Sequence, residues 1–306
     1  MTAGPILVAG ASGQVARALA SAARADAAGV IALGRRDMDI TDAAAVRAAV
    51  ARIAPAAIIN AAAYTAVDAA EDDAESAFAV NADGAGHLAE AAAWAGVPMV
   101  HLSTDYVFDG TKAGPYVETD PVAPAGVYAR SKETGERLVR SASPDHAILR
   151  TAWVFSADGN NFVRTMLRVG ATRERLQVVD DQVGNPTPAA AIAAAAAKVA
   201  RHLLQDPDPA WRGTFHFTGD TAMSWHQFAL QVFDTAERLH GYTPPAVDPI
   251  PSSAWPTRVA RPANSRLDGQ RLAQVHGIAP APLQPHLDTV VRRLLATPTS
   301  VGDATS

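Results

Sequence analysis

The sequence predicts an α/β fold built on a doubly wound parallel sheet, with a smaller C-terminal α/β lobe. Three observations predict it. Short apolar runs alternate with longer Ala-rich helical stretches over the first two thirds of the chain, the runs carry few charges, as strands buried on both faces do, and a glycine-rich turn follows the first run. Hydrophobic residues make up 48% of the 306-residue chain and charged residues 19%, so the chain can bury a sizeable core.

Five apolar runs are candidate strands, and the stretches between them are candidate helices. Strict alternation of strand and helix implies right-handed crossovers and therefore a parallel sheet. Thr41 and Asp42 form a plausible helix N-cap, and Gly96 followed by Pro98 would end the third helix. The candidate strands span residues 6–9, 30–33, 58–60, 99–102 and 147–149, and the candidate helices span residues 14–25, 42–52, 71–95 and 128–141.

The composition changes after residue 206, where Pro, Trp and His become frequent. One strand over residues 214–218 and two helices over 224–239 and 284–295 are expected there, with an irregular Pro-rich segment over 243–264. We expect residues 1–155 to form the sheet domain. Residues 156–298 would complete the sheet and form the smaller lobe, and the tail 299–306 would fray.

Composition also excludes several classes of protein. A net charge of -5 argues against a nucleic-acid binder, which needs a basic surface. The absence of cysteine excludes disulfides, thiolate zinc sites and a cysteine nucleophile. The N-terminus lacks the basic start and apolar run of a signal peptide, and the longest apolar stretch, residues 189–197, is too short to span a bilayer. We expect a soluble cytoplasmic protein without a membrane or nucleic-acid partner.

The turn Gly10-Ala11-Ser12-Gly13-Gln14-Val15-Ala16 follows the first strand and opens the first helix. Its glycines permit a tight turn and let a pyrophosphate approach the positive end of the helix. An ordinary strand–helix turn is the alternative, but the position after strand one favours a dinucleotide site in a Rossmann-type domain. The expected contacts from this turn are Gly10, Ser12, Gly13, Gln14 and Val15.

The end of the second strand indicates which dinucleotide binds. NAD-binding folds place a carboxylate there for the ribose hydroxyl, whereas NADP-binding folds place an arginine beside the extra phosphate. Here the strand ends Leu33-Gly34-Arg35-Arg36, with no carboxylate before Asp37. We therefore expect NADPH, held at Arg35, with NADH possible. A solvated basic turn is the alternative.

Tyr128, Lys132 and Thr104 are the candidate catalytic residues. Four helical residues rise by about 6 Å, so Tyr128 and Lys132 would share one helix face. A nearby ammonium would lower the pKa of the phenol and make it a usable acid–base group. Thr104 follows the fourth strand at the carboxyl edge of the sheet, where its hydroxyl could hydrogen-bond a substrate carbonyl. A surface pair is the alternative for Tyr128 and Lys132, and a helix N-cap or turn residue is the alternative for Thr104.

These residues and the glycine turn together resemble the extended short-chain dehydrogenase/reductases. Longer strings narrow the resemblance to the dTDP-4-dehydrorhamnose reductases, and with the glycine turn they extend from residue 10 to residue 268. The strings are NAAAYTAVDAAE over residues 60–71, STDYVFDG over 103–110, RTAWVF over 150–155, DQVGNPT over 181–187 and RPANSRLD over 261–268.

The resemblance implies NAD(P)H-dependent reduction of the 4-keto group of dTDP-4-dehydrorhamnose to dTDP-L-rhamnose, the last step of that sugar donor's synthesis. It implies that the nicotinamide supplies the hydride and that Tyr128 donates the proton. Lys132 would lower the tyrosine pKa and hold the nicotinamide ribose, and Thr104 would hydrogen-bond the carbonyl. A nucleotide-sugar substrate is therefore the expected small-molecule partner.

Further site residues follow from the same resemblance. Each has a structural alternative: small-residue packing for the alanines, a helix-start carboxylate for Asp39, core packing for the aromatic residues and an ion pair for Arg261. The implied cofactor contacts are Asp39, Ile40, Ala62, Ala63 and Thr65, in addition to Tyr128 and Lys132. The implied substrate contacts are Thr104, Asp105, Tyr106, Tyr128, Trp153 and Arg261, the last of them at the diphosphate.

Two departures and two alternatives remain. Ala129 stands where the family usually has glycine, and the first helix begins without the acidic residue that holds a magnesium ion between subunits in some relatives. We therefore expect no metal, and either a monomer or a homodimer. One alternative function is a nucleotide-sugar epimerase or dehydratase, although Tyr106 stands where dehydratases usually have a second acid. The other is a non-catalytic subunit resembling the regulatory β subunit of methionine adenosyltransferase.

Overall fold

The computed structural model describes residues 4–26 and 29–296 of the chain. Its strands are β1 Ile6–Ala9, β2 Val30–Leu33, β3 Ala57–Asn60, β4 Met99–Thr104, β5 His146–Thr151, β6 Val154–Phe155, β7 Arg175–Val179, β8 Val183–Gly184, β9 Thr187–Pro188, β10 Gly213–His216, β11 Met223–Ser224 and β12 Ala246–Ile250. Its α-helices are α1 Gln14–Asp26, α2 Ala43–Ile53, α3 Ala74–Phe78, α4 Gly84–Ala95, α5 Gly126–Ala142, α6 Phe162–Gly170, α7 Ala189–Gln205, α8 Trp225–His240, α9 Gln270–His276 and α10 Leu283–Ala296.

Six parallel strands form the central sheet in the order β10-β5-β4-β3-β1-β2. The doubly wound α/β fold predicted from the sequence is therefore confirmed. The chain passes from β1 to β2 on one side and continues from β3 on the other, so the strand order reverses between β1 and β3. Ligands of such sheets bind at the carboxyl ends of the strands beside this reversal.

Neighbouring residues of the central strands face opposite layers of helices. Val8 and Ile59 pack in a core with α1 and α7, whereas Leu7 and Ile58 pack in a second core with α2, α4 and α5. Because both faces of each strand are buried, the strands are continuously apolar rather than alternating. This is the pattern that identified them in the sequence.

A separate core holds the C-terminal lobe together. It packs α6, α8 and α10 around Phe155, Phe228 and Leu287. The Pro-rich segment 243–264, expected to be irregular, contains strand β12, which pairs in parallel with β7. Pro249 fits in β12 because β7 is the strand's one neighbour in a two-stranded sheet, and an edge position tolerates the missing N–H.

The helix expected over residues 71–95 is divided. A 3-10 turn spans Ala69–Glu71, α3 follows it, and Ala79–Asp83 form a π-helical turn before α4 begins. Asp73 starts α3 as its N-cap, with a side chain that accepts a backbone hydrogen bond. The π-helical turn directs the side chain of Asn81 toward the active site, as described below.

The predicted helix ends are confirmed at Asp42 and Gly96. The Asp42 side chain accepts hydrogen bonds from two backbone N–H groups of α2, and Gly96 ends α4 in the left-handed conformation. Helices α6, α7 and α9 were not predicted. For α7, the Ala-rich composition gave little periodic contrast between buried and exposed positions.

The chain returns to the sheet after building part of the lobe. Helix α7 covers one face of the sheet, and β10 adds an edge strand beside β5. Residues beyond 155 thus contribute to both the sheet and the lobe. The division of the chain at residues 155 and 298 stays a prediction, and the tail 299–306 lies outside the described residues.

Within the described ranges, residues 4–26 and 29–296, no helix is both long enough and apolar enough to cross a membrane. The same ranges contain no group of three or more His, Cys, Asp or Glu side chains arranged to hold a metal ion.

Candidate active site

The turn between β1 and α1 lies against the chain that follows β3. Gly10 has a φ of +93°, and a Cβ atom there would lie 2.7 Å from the backbone nitrogen of Ala62. Glycine is required at this position because it tolerates both the left-handed conformation and the close approach. Helix α1 begins at Gln14, so the positive end of the helix and its free N–H groups lie beside this turn, an arrangement that binds phosphate.

A cleft of about 590 Å³ lies along this edge of the sheet. It brings together the loops after β1, β2 and β3, which are far apart in the sequence. Tyr128 and Lys132, predicted to contact the cofactor, are not part of its wall. The other predicted cofactor residues all line it: Gly10, Ser12, Gly13, Gln14, Val15, Arg35, Asp39, Ile40, Ala62, Ala63 and Thr65.

Arg35 lies at the mouth of the cleft with its side chain 81% exposed. Its Nε donates to a carboxylate oxygen of Asp39 at 2.9 Å. Asp39 is itself fixed by the backbone N–H and the hydroxyl of Thr41, which lower the pKa of its carboxyl. Arg36 is exposed and does not line the cleft, so Arg35 is the arginine that can meet an anionic group there.

A loop of the C-terminal lobe closes one side of the cleft, which the sequence analysis missed. Gly159 and Asn160 line the cleft. The side-chain oxygen of Gln14 accepts hydrogen bonds from Ser156 Oγ at 2.8 Å and from Asn161 Nδ2 at 3.1 Å, which ties the loop to α1. The turn-forming residues of this loop are visible in the sequence, but no local pattern indicates that it reaches α1.

Thr104, Tyr128 and Lys132 meet at the carboxyl end of β4. Thr104 is the last residue of that strand, and Tyr128 and Lys132 lie one helical turn apart in α5. Lys132 is buried, and its Nζ donates to the backbone carbonyl of Leu102 at 2.7 Å. The structure therefore brings the three predicted catalytic residues together.

Burial controls the protonation of this cluster. It raises the pKa of Tyr128 to about 12, against a smaller opposite effect of the Thr104 hydroxyl. It lowers the pKa of Lys132 to about 8, against the charge of Glu136. At neutral pH Tyr128 is therefore a phenol and Lys132 is mostly an ammonium. The structure does not show the expected lowering of the Tyr128 pKa by Lys132, because burial dominates the pKa of this phenol.

Asp105 lies behind Thr104, inside the protein. Its carboxylate accepts the hydroxyl proton of Thr104 at 2.9 Å. Burial raises the pKa of Asp105 to about 6, although the hydroxyls of Ser265 and Thr104 lower it. Asp105 is 4% exposed, so the structure places it where it orients Thr104, and a direct substrate contact stays a prediction.

A second cavity, of about 810 Å³, lies between the sheet domain and the lobe. Tyr106 lines it and packs edge-on against Tyr128, with 5.6 Å between ring centroids. Arg261 lines it too, forms an ion pair with Asp68, and keeps its Nη1 buried without a hydrogen-bond partner. The ion pair is the structural role considered for Arg261 in the sequence. Arg261 also places a cationic group in the wall of the cavity.

Trp153 is not part of the cavity wall but supports a residue that is. It stacks on Trp225, which lines the cavity, with ring centroids 3.4 Å apart and planes within 6°. Trp153 has a φ of +47°, and a Cβ atom at Gly184 would lie 2.4 Å from its ring. A direct contact between Trp153 and the sugar stays a prediction, and Trp225 is an aromatic wall residue that the sequence analysis missed.

Asn81 was also missed, and it connects the cofactor cleft to the catalytic helix. Its side chain accepts from the backbone N–H of Tyr64 at 2.8 Å and donates to the Tyr64 carbonyl at 3.0 Å. It also donates to Ser131 Oγ, which donates to the carbonyl of Tyr128 at 2.8 Å. A polar residue within the apolar string Ala79–Ala82 was the available signal.

Comparison with known proteins agrees with this geometry. A family model described as "RmlD substrate binding domain" matches residues 4–296. A dTDP-4-dehydrorhamnose reductase of Sinorhizobium fredii is 45% identical over 95% of this chain and 96% of the relative. Another, from Aggregatibacter actinomycetemcomitans, is 42% identical over 93% of this chain and 97% of the relative.

Solved structures give the same result. A dTDP-4-dehydrorhamnose reductase of Clostridium acetobutylicum superposes with a TM-score of 0.88 at 36% identity, covering 96% of this chain and 100% of that one. The Bacillus anthracis reductase, solved in complex with NADP, gives 0.86 at 31% identity, covering 96% and 99%. A Thermus thermophilus UDP-glucose 4-epimerase, at 20% identity and a TM-score of 0.77 over 96% and 99% of the two chains, shares the fold. This chain belongs to the dTDP-4-dehydrorhamnose reductase family.

Proposed function

We propose that this protein reduces the 4-keto group of dTDP-4-dehydrorhamnose to dTDP-L-rhamnose with NADPH. One observation carries the proposal: Tyr128 lines neither cavity but packs near a wall residue of each. It packs on the same apolar cluster as Tyr64, which lines the cofactor cleft, and edge-on against Tyr106, which lines the second cavity. A proton donor at this position can serve a substrate carbonyl that faces the cofactor.

The geometry of the cofactor cleft fits the phosphates of a dinucleotide. Gly10 keeps the turn close to Ala62, and helix α1 begins at Gln14, so the N–H groups of the first helical turn lie at the cleft and suit the pyrophosphate. Arg35 suits the additional phosphate that distinguishes NADPH from NADH. NADPH, when bound there, supplies the hydride.

The catalytic cluster supplies the proton. In the direction of reduction the tyrosine must be protonated, and its raised pKa keeps it so at neutral pH. As negative charge develops on the substrate oxygen, the Tyr128 hydroxyl donates its proton there, and the Lys132 ammonium stabilises the resulting phenolate. Thr104 lies beside the phenol, and its hydroxyl donates to Asp105 in this structure, so a hydrogen bond to the substrate oxygen requires the hydroxyl proton to turn from Asp105 to the substrate.

The second cavity is the proposed site for the nucleotide sugar. Its volume of about 810 Å³ lies within the range of small-molecule sites. Trp225, backed by Trp153, offers a flat apolar surface. Arg261 lines this cavity, and its guanidinium is the proposed donor to a diphosphate oxygen.

The decisive experiment starts from dTDP-glucose, converted enzymatically to the keto sugar. Addition of this protein and NADPH should cause loss of the 340 nm absorbance in proportion to the sugar, and NMR should identify dTDP-rhamnose. A changed sugar without net NADPH consumption would instead indicate an epimerase or dehydratase. Stable association with another protein and no reduction of the keto sugar would indicate a regulatory subunit.

A further inference from the structure

The catalytic helix carries a second buried charge one turn beyond Lys132. Glu136 is fully buried in α5. Its carboxylate accepts two hydrogen bonds from Arg150, from Nε at 2.9 Å and from Nη2 at 2.7 Å. It accepts a third from Arg140 at 2.6 Å. None of these residues belongs to the predicted catalytic or binding set.

Arg150 fixes this carboxylate from the sheet. It is 2% exposed, lies in β5, and stacks its guanidinium on the ring of Phe108 with 5.0 Å from Cζ to the centroid. Burial alone would raise the pKa of Glu136, but the hydrogen bonds and charge of Arg150 outweigh burial and lower it to about 2. The carboxylate is therefore ionised at any pH at which the enzyme works.

Lys132 lacks a carboxylate of its own. It is 2% exposed, its Nζ is bonded to a neutral carbonyl, and it forms no ion pair with any described residue within 4.0 Å. Burial of an ammonium favours its neutral form. The charge that opposes this effect on the pKa of Lys132 is that of Glu136, four residues along the same helix.

Several elements contribute polar groups around Glu136. Burial keeps the histidines of β4 and β10 neutral, since it lowers the pKa of both. Among the described residues, the charged groups beside this carboxylate are then the cations Lys132, Arg140 and Arg150. The surrounding groups are Lys132 and Arg140 in α5, Arg150 in β5, His101 and Ser103 in β4, and His216 in β10.

We propose that Glu136 is a positioning residue for the catalytic lysine: Arg150 holds its carboxylate inside the fold, and this carboxylate keeps Lys132 charged beside Tyr128. The inference rests on the proposed function for the role of Lys132 in turnover. The effect of the Glu136 carboxylate on the charge of Lys132 does not depend on that role. Without the carboxylate, Arg150 and Lys132 are two buried cations, and Lys132 is the one that can lose a proton because arginine does not deprotonate in proteins.

The composition of the chain allows a direct test. The chain has three lysines, at positions 112, 132 and 198, so lysine labelled with ¹³C at Cε gives three NMR signals. Lys112→Arg and Lys198→Arg assign the other two. In the apo wild type the Lys132 signal should titrate with a midpoint near its pKa of about 8. Glu136→Gln should lower that midpoint by about one pH unit or more.

Two further variants separate charge from packing. Glu133→Gln, on the same helix, removes a carboxylate that pairs with Arg137 and should leave the Lys132 midpoint unchanged. The double variant Glu136→Gln with Arg150→Met removes the buried pair and leaves only the partly exposed Arg140 without its carboxylate, and therefore covers the case in which the single variant fails to fold. It lacks the carboxylate but also one buried cation, so its midpoint should be lowered by less than that of Glu136→Gln.

The pH profile of turnover gives the second readout. In Glu136→Gln the fall of kcat at high pH should begin at a lower pH, by the same shift as the NMR midpoint. A residue with a purely structural role would lower kcat at every pH and move neither midpoint. A Lys132 midpoint that equals the wild-type value in both variants lacking Glu136 overturns the inference. This NMR result needs no substrate, so it is distinguishable from failure of the wild type to reduce the keto sugar, which overturns the proposed function.

Discussion

The cofactor cleft and the substrate cavity are built in different ways. The cleft is lined mainly by residues 10–65, in the loops that directly follow β1, β2 and β3. The cavity is lined by Asp68 and Tyr106 from the sheet domain and by segments of the lobe spread from Phe162 to Arg261. The first site is formed by backbone at one edge of a sheet, and the second by side chains that meet across two cores.

This difference explains what each site tolerates. In the cleft the geometry depends on the absence of a side chain, as at Gly10. In the cavity it depends on side chains that support one another, as Trp153 supports Trp225. Substitutions should therefore separate cofactor affinity from sugar affinity, and only residues at the junction of the sites should affect the chemical step.

The largest effect is expected at that junction. Tyr128→Phe keeps the ring but removes the donated proton, so kcat should fall by about 10²- to 10⁴-fold while NADPH still binds. Steady-state rates at 340 nm and fluorescence titration with NADPH measure the two quantities. Tyr242→Phe, in the lobe core and outside both cavities, is the control and should keep normal turnover. Near-normal turnover of Tyr128→Phe would refute the role of the phenol.

The next effect is expected in the cleft. Gly10→Ala places a Cβ atom against the backbone at Ala62 and strains a φ of +93°, so NADPH affinity should fall by roughly tenfold, equivalent to about 1.4 kcal/mol, or more. Gly96→Ala is the matched control, because its φ is also positive but its Cβ would meet open space. It should cost about 1 kcal/mol of folding free energy without weakening NADPH binding. Equal NADPH affinity in both variants would contradict the close-approach explanation.

A smaller effect is expected in the substrate cavity. Gly184→Ala would push the Trp153 ring and disturb its stack on Trp225, so KM for the nucleotide sugar should rise several-fold, about 1 kcal/mol for one aromatic contact. The dissociation constant for NADPH should not change. Gly114→Ala, where a Cβ has no neighbour within 4 Å, should leave both constants unchanged. A parallel loss of NADPH affinity in Gly184→Ala would show that the two sites are not separable.

The smallest effect is expected at Arg35. The side chain is 81% exposed, so its attraction for a phosphate is screened by water and salt. Arg35→Ala should lower kcat/KM with NADPH by about two- to threefold, roughly the 0.5 kcal/mol of one exposed charge pair, and leave NADH nearly unaffected. Arg36→Ala, which does not line the cleft, should behave as wild type. A clear preference of the wild type for NADH would contradict the assignment.

The same difference decides what the sequence could predict. Gly10, Ala62 and Arg35 follow strands whose apolar runs are obvious, and the strand order then places them together. Trp225 and Gly159 could not be predicted, because their positions depend on packing between the lobe and the sheet. Asn81 is an intermediate case. Its polarity within an apolar helix was visible in the sequence, but its hydrogen-bond partner Tyr64 was not.

The position of β10 has a consequence for the order in which this protein can fold. The edge strand Gly213–His216 pairs with β5, and α7 covers one face of the sheet. A nascent chain that ends at residue 155 therefore has an unpaired sheet edge and an incompletely covered apolar face, both of which favour aggregation. The six-stranded sheet can be completed only after residue 216 has left the ribosome. The first half of the lobe is therefore synthesised before the sheet domain against which it packs is complete.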